Sequence, residues 1–271
     1  MSKTIEQTEV ASTLVEYRVD GGIAFFTMND PPANTYTYEM MRQMDEAILR
    51  ARMDDNVHLI ILTGKGEKFF SAGANIKMLS TVTPQFKYYF CLHANETLNR
   101  LEQTPKLVIA ALNGHTVGGG LEIAMAADLR IARKDGGKIG LPEISLGVLP
   151  GTGGTQRVCR LVGKSRAIEL MISGRTFSFE EALEMGLINE IYGRDNFMDE
   201  VIDYARQFLP PHKAAKAVGR IKRSVQSGIE IAFPEALALE RELQQQLFQS
   251  EDAKEGLAAY VEKRTAKFQG K

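Results

Sequence analysis

The sequence predicts an α/β protein made of stacked ββα-like turns followed by a helical C-terminal region. Three observations carry this. An apolar strand, a glycine loop and a helix follow one another twice, about 50 residues apart. No GxGxxG follows the first strand, so a doubly wound dinucleotide fold has little support. Residues 195–271 then keep helical periodicity while gaining charge, with no low-complexity linker before them.

The elements follow in order. LVEYRVDGGIAFFTMND reads as two strands around a DGG turn. In PPANTYTYEMMRQMDEAILRARMDD the prolines stop the strand. Met40, Met41, Met44, Ala47, Ile48 and Ala51 then recur at helical spacing. VHLIILTG is a short apolar strand entering a glycine-punctuated loop, KGEKFFSAGAN, and LVIAALNG is a second one entering the loop HTVGGG and a helix. DLRIAR continues the strand pattern. GLPEISLGVLPGTGGTQRV is rich in turn residues and starts a helix near Thr155. From about residue 161 helices dominate, among them FSFEEALEMG with Ser178 as its cap and a glycine as its stop.

Composition narrows the function classes. At 271 residues, 44% hydrophobic and 25% charged, the chain suits one large soluble domain or a domain with a smaller appendage. A formal net charge of −1 gives no global field for nucleic acid or an anionic membrane. Cys91 and Cys159 have no CxxC spacing, which suits a reducing compartment. His58, His93, His115 and His212 are scattered without paired ligand spacing, so no metal site is expected. MSKTIEQTEVAS lacks the apolar core of a signal peptide, and no run reaches the length of a membrane span. The expected location is cytoplasmic.

The chemistry is concentrated in the glycine loops. A glycine loop lets backbone approach a ligand closely, and a helix start leaves N–H groups unpaired. Such donors stabilise a phosphate or the oxyanion of an enolate. Ala74 in FFSAGAN and Gly119 in HTVGGGLE are the candidate donors, one from each loop; tight turns between strand and helix are the competing explanation. Glu122 lies in the first turn of a segment that is otherwise apolar all round. It can gain simply from the helix dipole. A second acid, Glu143 in GLPEIS, is also flanked by apolar residues. Two carboxylates brought together in an apolar cleft cannot both ionise easily, so one can act as acid and the other as base. Their meeting is an expectation that only a structure can test.

FFSAGANIKML, ALNGHTVGGGLEIAMAADLRIA and GLPEISLGVLPGTGGTQR closely resemble the enoyl-CoA hydratase (crotonase) family. The likeness extends over nearly the whole chain, including AAYVEKRTAKF. The resemblance implies a crotonase-like spiral of repeated ββα units with the active site in residues 1–194. It also implies a helical region, 195–271, that mediates trimers, two of which commonly form a hexamer. It implies that Ala74 and Gly119 donate to the thioester carbonyl, that Glu122 helps orient and deprotonate water for attack at C3, and that Glu143 protonates C2. Retention of both acids makes hydration of a 2-enoyl-CoA the leading expectation, with no metal or redox cofactor. The rivals are another crotonase reaction (enoyl-CoA isomerisation, or hydration or hydrolysis of a cyclic dienoyl-CoA) and a non-catalytic acyl-CoA- or RNA-binding module. The near-neutral charge argues against RNA.

Two departures from the family pattern are visible. Asn75 stands where the family often has Asp, and the loop ARKDGGKIG is slightly longer than usual. For the coenzyme, Lys77 after the first loop is a candidate for its phosphates. The resemblance adds Lys263, from the same or a neighbouring subunit, and backbone around Ala72 and Ile76 for the adenine. Phe86, Tyr88, Tyr89 and Phe90 fall where the family shapes its acyl pocket, and they equally fit core packing at helical spacing. His115 precedes the glycines and is read either as pocket lining or as structural, and the two cysteines are expected to pack in the core.

Overall fold

A computed structural model describes residues 12–271; the N-terminal stretch read above for targeting signals lies, apart from Ser12, outside the described residues. The chain opens with the expected hairpin. Strands β1 (Val15–Asp20) and β2 (Ile23–Met28) pair antiparallel around the glycine turn. Helix α1 (Tyr38–Met53) follows, capped by Thr37, whose hydroxyl accepts from the Met40 N–H, and it buries the six residues whose spacing predicted it.

Two turns of the spiral come next. β3 (Leu59–Gly64), β4 (Phe69–Ser71), α2 (Ile76–Leu79) and α3 (Pro84–Glu102) make one; β5 (Leu107–Leu112), β6 (His115–Val117) and α4 (Gly119–Met125) make the other. A third begins with β7 (Leu129–Arg133) and β8 (Ile139–Gly140) and runs into a short 3₁₀ turn, Glu143–Leu146. Helices α5 (Gly154–Val162), α6 (Lys164–Ser173) and α7 (Phe179–Glu184) lead to β9 (Glu190–Tyr192), then α8 (Phe197–Arg206), α9 (Ala215–Gly228), α10 (Phe233–Phe248) and α11 (Glu251–Val261). Ser178 caps α7 as expected, accepting from the Glu181 N–H.

The long strands form one sheet in the order β1-β2-β3-β5-β7-β9, parallel beyond the first pair. Side chains alternate between its faces. Ala24, Phe26, Ile60, Leu62, Val108 and Ala110 join the core under α1, α3 and α4, while Ile23, Phe25, Leu59, Ile61, Ile109 and Ala111 meet Phe197, Val201 and Ala205 of α8. Covering on both faces explains why these strands read as continuous apolar runs. It also packs α8, the first helix of the C-terminal helical region, against the sheet.

The structure adds a second sheet that the sequence did not disclose. The stretches read as loops, KGEKFFSAGAN and HTVGGG, contain β4 and β6, which pair in parallel with each other and with β8. Each is too short for alternation to register. Their extended form comes from stacking one spiral turn on the next.

Beyond α8, α9 is tied to the sheet by a buried ion pair. Lys222 Nζ lies 2.8 Å from Asp128 Oδ2 and donates to the Lys106 carbonyl, while Asp128 also accepts from the Val108 N–H and from Gln226. Removing one partner strands a buried charge, at about 3–5 kcal/mol, whereas replacing both can be nearly neutral. Lys222→Met should therefore lower the stability measured by urea denaturation at fixed protein concentration by about 3 kcal/mol, and the Asp128→Asn/Lys222→Met double variant by less.

Candidate active site

Both spiral turns deliver a backbone N–H to one place. Tyr36 forms an isolated parallel bridge with Ala74: its N–H donates to the Gly73 carbonyl at 2.9 Å, and its carbonyl accepts from the Asn75 N–H at 3.0 Å. Because Gly73 and Asn75 satisfy Tyr36, the Ala74 N–H is directed away from that bridge. Gly119 opens α4, so its N–H has no intrahelical acceptor. Neither N–H donates to any acceptor among the described residues. The loops are in contact, since a Cβ on Gly73 would lie 2.9 Å from the Gly119 nitrogen.

The three glycines before Glu122 serve different ends. Gly118 has φ +56°, and a Cβ there would come 3.1 Å from Glu143 Oε1. At Gly119 a Cβ would lie 2.4 Å from the Tyr36 ring, and at Gly120 it would lie 2.2 Å from the Ser71 carbonyl oxygen. The run is therefore required as much by close packing of α4 on the preceding turn as by access to a ligand.

Ala72, Ala74, Ile76, Gly118, Gly119, Glu122 and Glu143 all line one cavity of about 640 Å³, within the size range of small-molecule sites. Tyr36, Lys87, Leu146, Leu149 and Thr152 complete much of its wall. The two acids thus meet in one cleft. The remaining candidates do not: neither Lys77, in the last turn of α2, nor Lys263, beyond α11, lines this chain's cavity. Asn75 turns its side chain to capping α2, accepting from the Met78 N–H at 3.0 Å, with its amide 3.3 Å from Thr35 Oγ1.

The aromatic run of α3 divides. Only Phe90 is core, stacked on Tyr36 with centroids 5.5 Å apart; Phe86, Tyr88 and Tyr89 are exposed, and none of the four lines the cavity. α3 turns Lys87 inward instead. No local pattern singles Lys87 out in the sequence, since a lysine between aromatics on a helix fits a solvated face equally well. His115 is structural: its Nδ1 accepts from the Lys138 N–H, and its ring lies against Phe69. Cys91 and Cys159 are unpaired and half-buried, not fully enclosed.

The carboxylates differ in how they are held. Glu122 is 2% exposed, and its Oε1 accepts from the Thr152 and Gly154 N–H groups, both at 2.7 Å. Burial raises its pKa; those two N–H groups oppose the shift by favouring the ionised form. Glu143 has only its own backbone N–H nearby, and its buried Oε2 makes no hydrogen bond among the described residues. Burial, and next the neighbouring Glu122 charge, push it up to about 7. The two N–H groups thus favour a negative charge on Glu122, while Glu143 is placed to hold a proton near neutrality.

The sequence profile of the enoyl-CoA hydratase/isomerase family matches residues 18–271. The chain belongs to that family. It is 36% identical over 259 residues to a protein of Bacillus subtilis named a probable enoyl-CoA hydratase, covering 94% of this chain and 98% of the relative. To a short-chain-enoyl-CoA hydratase of Clostridium acetobutylicum it is 37% identical, covering 90% and 93%. Among solved structures, an enoyl-CoA hydratase from Bacillus anthracis superposes with a TM-score of 0.90 at 31% identity, covering 95% of this chain and all of the other. A Geobacillus kaustophilus structure described in the same terms reaches 0.94 at 43%, covering 97% and 98%. The fold is the crotonase fold.

Glu143 binds its proton more tightly in the folded chain than the ordinary carboxylate value of 4.5. Where the folded state binds more protons than the unfolded one, stability falls as pH rises. Its contribution should fall between about pH 4.5 and 7 and level off above. Thermal denaturation of Glu143→Gln should accordingly show the variant gaining stability over the parent as pH rises through that window, with the gain vanishing below about pH 4.5.

Proposed function

We propose that the cavity hydrates the 2,3 double bond of a 2-enoyl-CoA, and that the chain acts as a hydro-lyase of this type. What supports the reading is the convergence on one apolar cavity of two carboxylates held by different partners and two backbone N–H groups with no acceptor among the described residues. Relatives named short-chain-enoyl-CoA hydratase and crotonyl-CoA hydratase, each over 90% or more of this chain, agree with it.

The steps follow from the proton states. The thioester oxygen accepts from the Ala74 and Gly119 N–H groups, which polarises the conjugated double bond. Glu122, ionised and anchored through Oε1, takes a proton from water as the water oxygen bonds to C3. The resulting enolate carries its charge on the oxygen held by the two N–H groups. Glu143 then gives its proton to C2, and exchange with solvent returns both acids to their starting states. This chemistry takes base, acid and oxyanion donors from the chain and calls for no metal or redox group.

For the coenzyme we propose that backbone around Ala72 and Ile76 contacts the adenine, with Lys77 and a Lys263 from a neighbouring subunit meeting the phosphates. Lys87 is the one lysine or arginine lining the cavity among the described residues. We further propose a homotrimer, or a hexamer of two trimers. Its support is the apolar surface on the C-terminal helices: α9 and α10 flank a groove lined by Ile221, Val225, Leu243, Leu247 and Phe248, while Ile229, Phe233 and Tyr260 are more than two-thirds exposed. No helix among the described residues is long and apolar enough to cross a membrane, and we assign the protein to the cytoplasm on its two unpaired cysteines.

Incubation with crotonyl-CoA should yield the 3-hydroxyacyl-CoA. Glu122→Gln and Glu143→Gln should each lower kcat by about 10²–10⁴ while the chain still folds. Unchanged hydration in both variants would remove the pair from the reaction. For the assembly, light scattering should give three or six times the chain mass, and Phe233→Glu/Ile229→Glu should shift it towards the single chain.

A further inference from the structure

One side chain links both N–H donors to the loop that holds Glu122 without being needed for the chemistry just described. Tyr36 is 2% exposed, and its backbone brackets Ala74. Its ring fills the space that a Cβ on Gly119 would need. Its hydroxyl lies 2.8 Å from Thr152 Oγ1. Thr152 in turn donates its backbone N–H to Glu122 Oε1 at 2.7 Å. A continuous path thus runs from the first N–H donor through the phenol ring and two hydroxyls to the carboxylate that handles water.

We propose that Tyr36 and Thr152 act as a positioning pair, whose buried hydroxyl–hydroxyl bond fixes the Gly151–Gly154 loop so that its N–H groups stay on Glu122 Oε1 and leave Oε2 for water. The inference rests on the hydratase reading and on Glu122 as its base. Thr152 is the one hydrogen-bond partner of the Tyr36 hydroxyl among the described residues, and the loop carries glycines at 151, 153 and 154 with little stiffness of its own. Gly154 sits under the same carboxylate, since a Cβ there would come 2.9 Å from Glu122 Oε1. Arg157 holds the loop from its other side, with a 3.4 Å contact to the Thr152 carbonyl. A carboxylate needs its productive orientation held closely, because small misplacements are expensive in rate.

The pair has a signature beyond stability. When the loop loosens, Glu122 loses N–H donors that favour its ionised form, so the acidic limb of the kcat/KM profile moves to higher pH. The other titratable or charged groups that bear on Glu122 are Glu143 from the 3₁₀ turn, Lys87 from α3, Arg157 from α5 and Tyr36 itself, whose phenol burial keeps neutral; both substitutions leave the first three side chains in place in the sequence, and only Arg157 contacts the loop being loosened.

The test uses the full-length protein with crotonyl-CoA. Tyr36→Phe and Thr152→Val should each lower kcat about two- to tenfold, the scale of one neutral hydrogen bond, with KM little changed and the acidic limb raised. Thr152→Ser, which keeps the hydroxyl, should restore both. The double variant should lose no more than the worse single one. A wild-type kcat and pH profile in Tyr36→Phe, accompanied only by a lower melting temperature, would overturn the proposal. If Tyr36→Phe does not fold, the Thr152→Val and Thr152→Ser comparison decides it on the same readouts. Glu122→Gln run in parallel separates the two failures: retained hydration there removes the underlying reading as well, whereas lost hydration with a normal Tyr36→Phe removes the positioning pair alone.

Discussion

The site depends on placing an ionisable carboxylate, Glu122, inside a packed apolar layer. An unpartnered charge there would be neutralised by a large pKa shift. The fold answers with two backbone N–H groups from the segment preceding and opening α5, both aimed at one oxygen. Hydrogen bonds to a charged group are worth about 1.5–3 kcal/mol each, enough to keep ionisation accessible without the strong acidity a salt bridge would impose. No lysine or arginine contacts Glu122 directly among the described residues. It can therefore still accept a proton, which a base must do.

That constraint propagates outwards. For α5 to start over Glu122, residue 154 must lack a Cβ; for α4 to carry Glu122 against the preceding turn, residues 119 and 120 must lack one too. The second sheet exists because these close approaches stack β4, β6 and β8 directly on one another. Glu143, at the end of the third turn, gets burial without the pair of N–H donors that Glu122 has, and burial with the neighbouring Glu122 charge pushes its pKa up to about 7. The different ways in which two chemically identical side chains are held are thus a property of which backbone faces each of them.

Much of this was legible in the sequence, for identifiable reasons. The main sheet and α1 announced themselves because burial on one or both faces leaves a periodic apolar signal, as in the spacing from Met40 to Ala51. Glu122 was visible as an acid with no neighbour able to neutralise it. The short strands β4 and β6 were not, since three residues carry no period and their pairing partners lie in other turns. Lys87 and Thr152 were missed for a different reason. Their role depends on which way a helix or a glycine-rich loop turns them, and no local pattern encodes that.

Tyr36 shows how a residue can escape pattern reading yet organise a site. It sits between a pair of prolines and the cap of α1, where a large aromatic reads as ordinary core. Its burial does serve the core, through the stack on Phe90. Yet a phenylalanine would fill that space equally well, and a buried hydroxyl carries a desolvation penalty unless it is matched. The match is Thr152, itself 1% exposed and on the loop that holds Glu122. Two buried hydroxyls that satisfy each other are a costly way to fill a cavity wall, and a specific way to fix the distance between the segment that bridges Ala74 and the segment that orients the base.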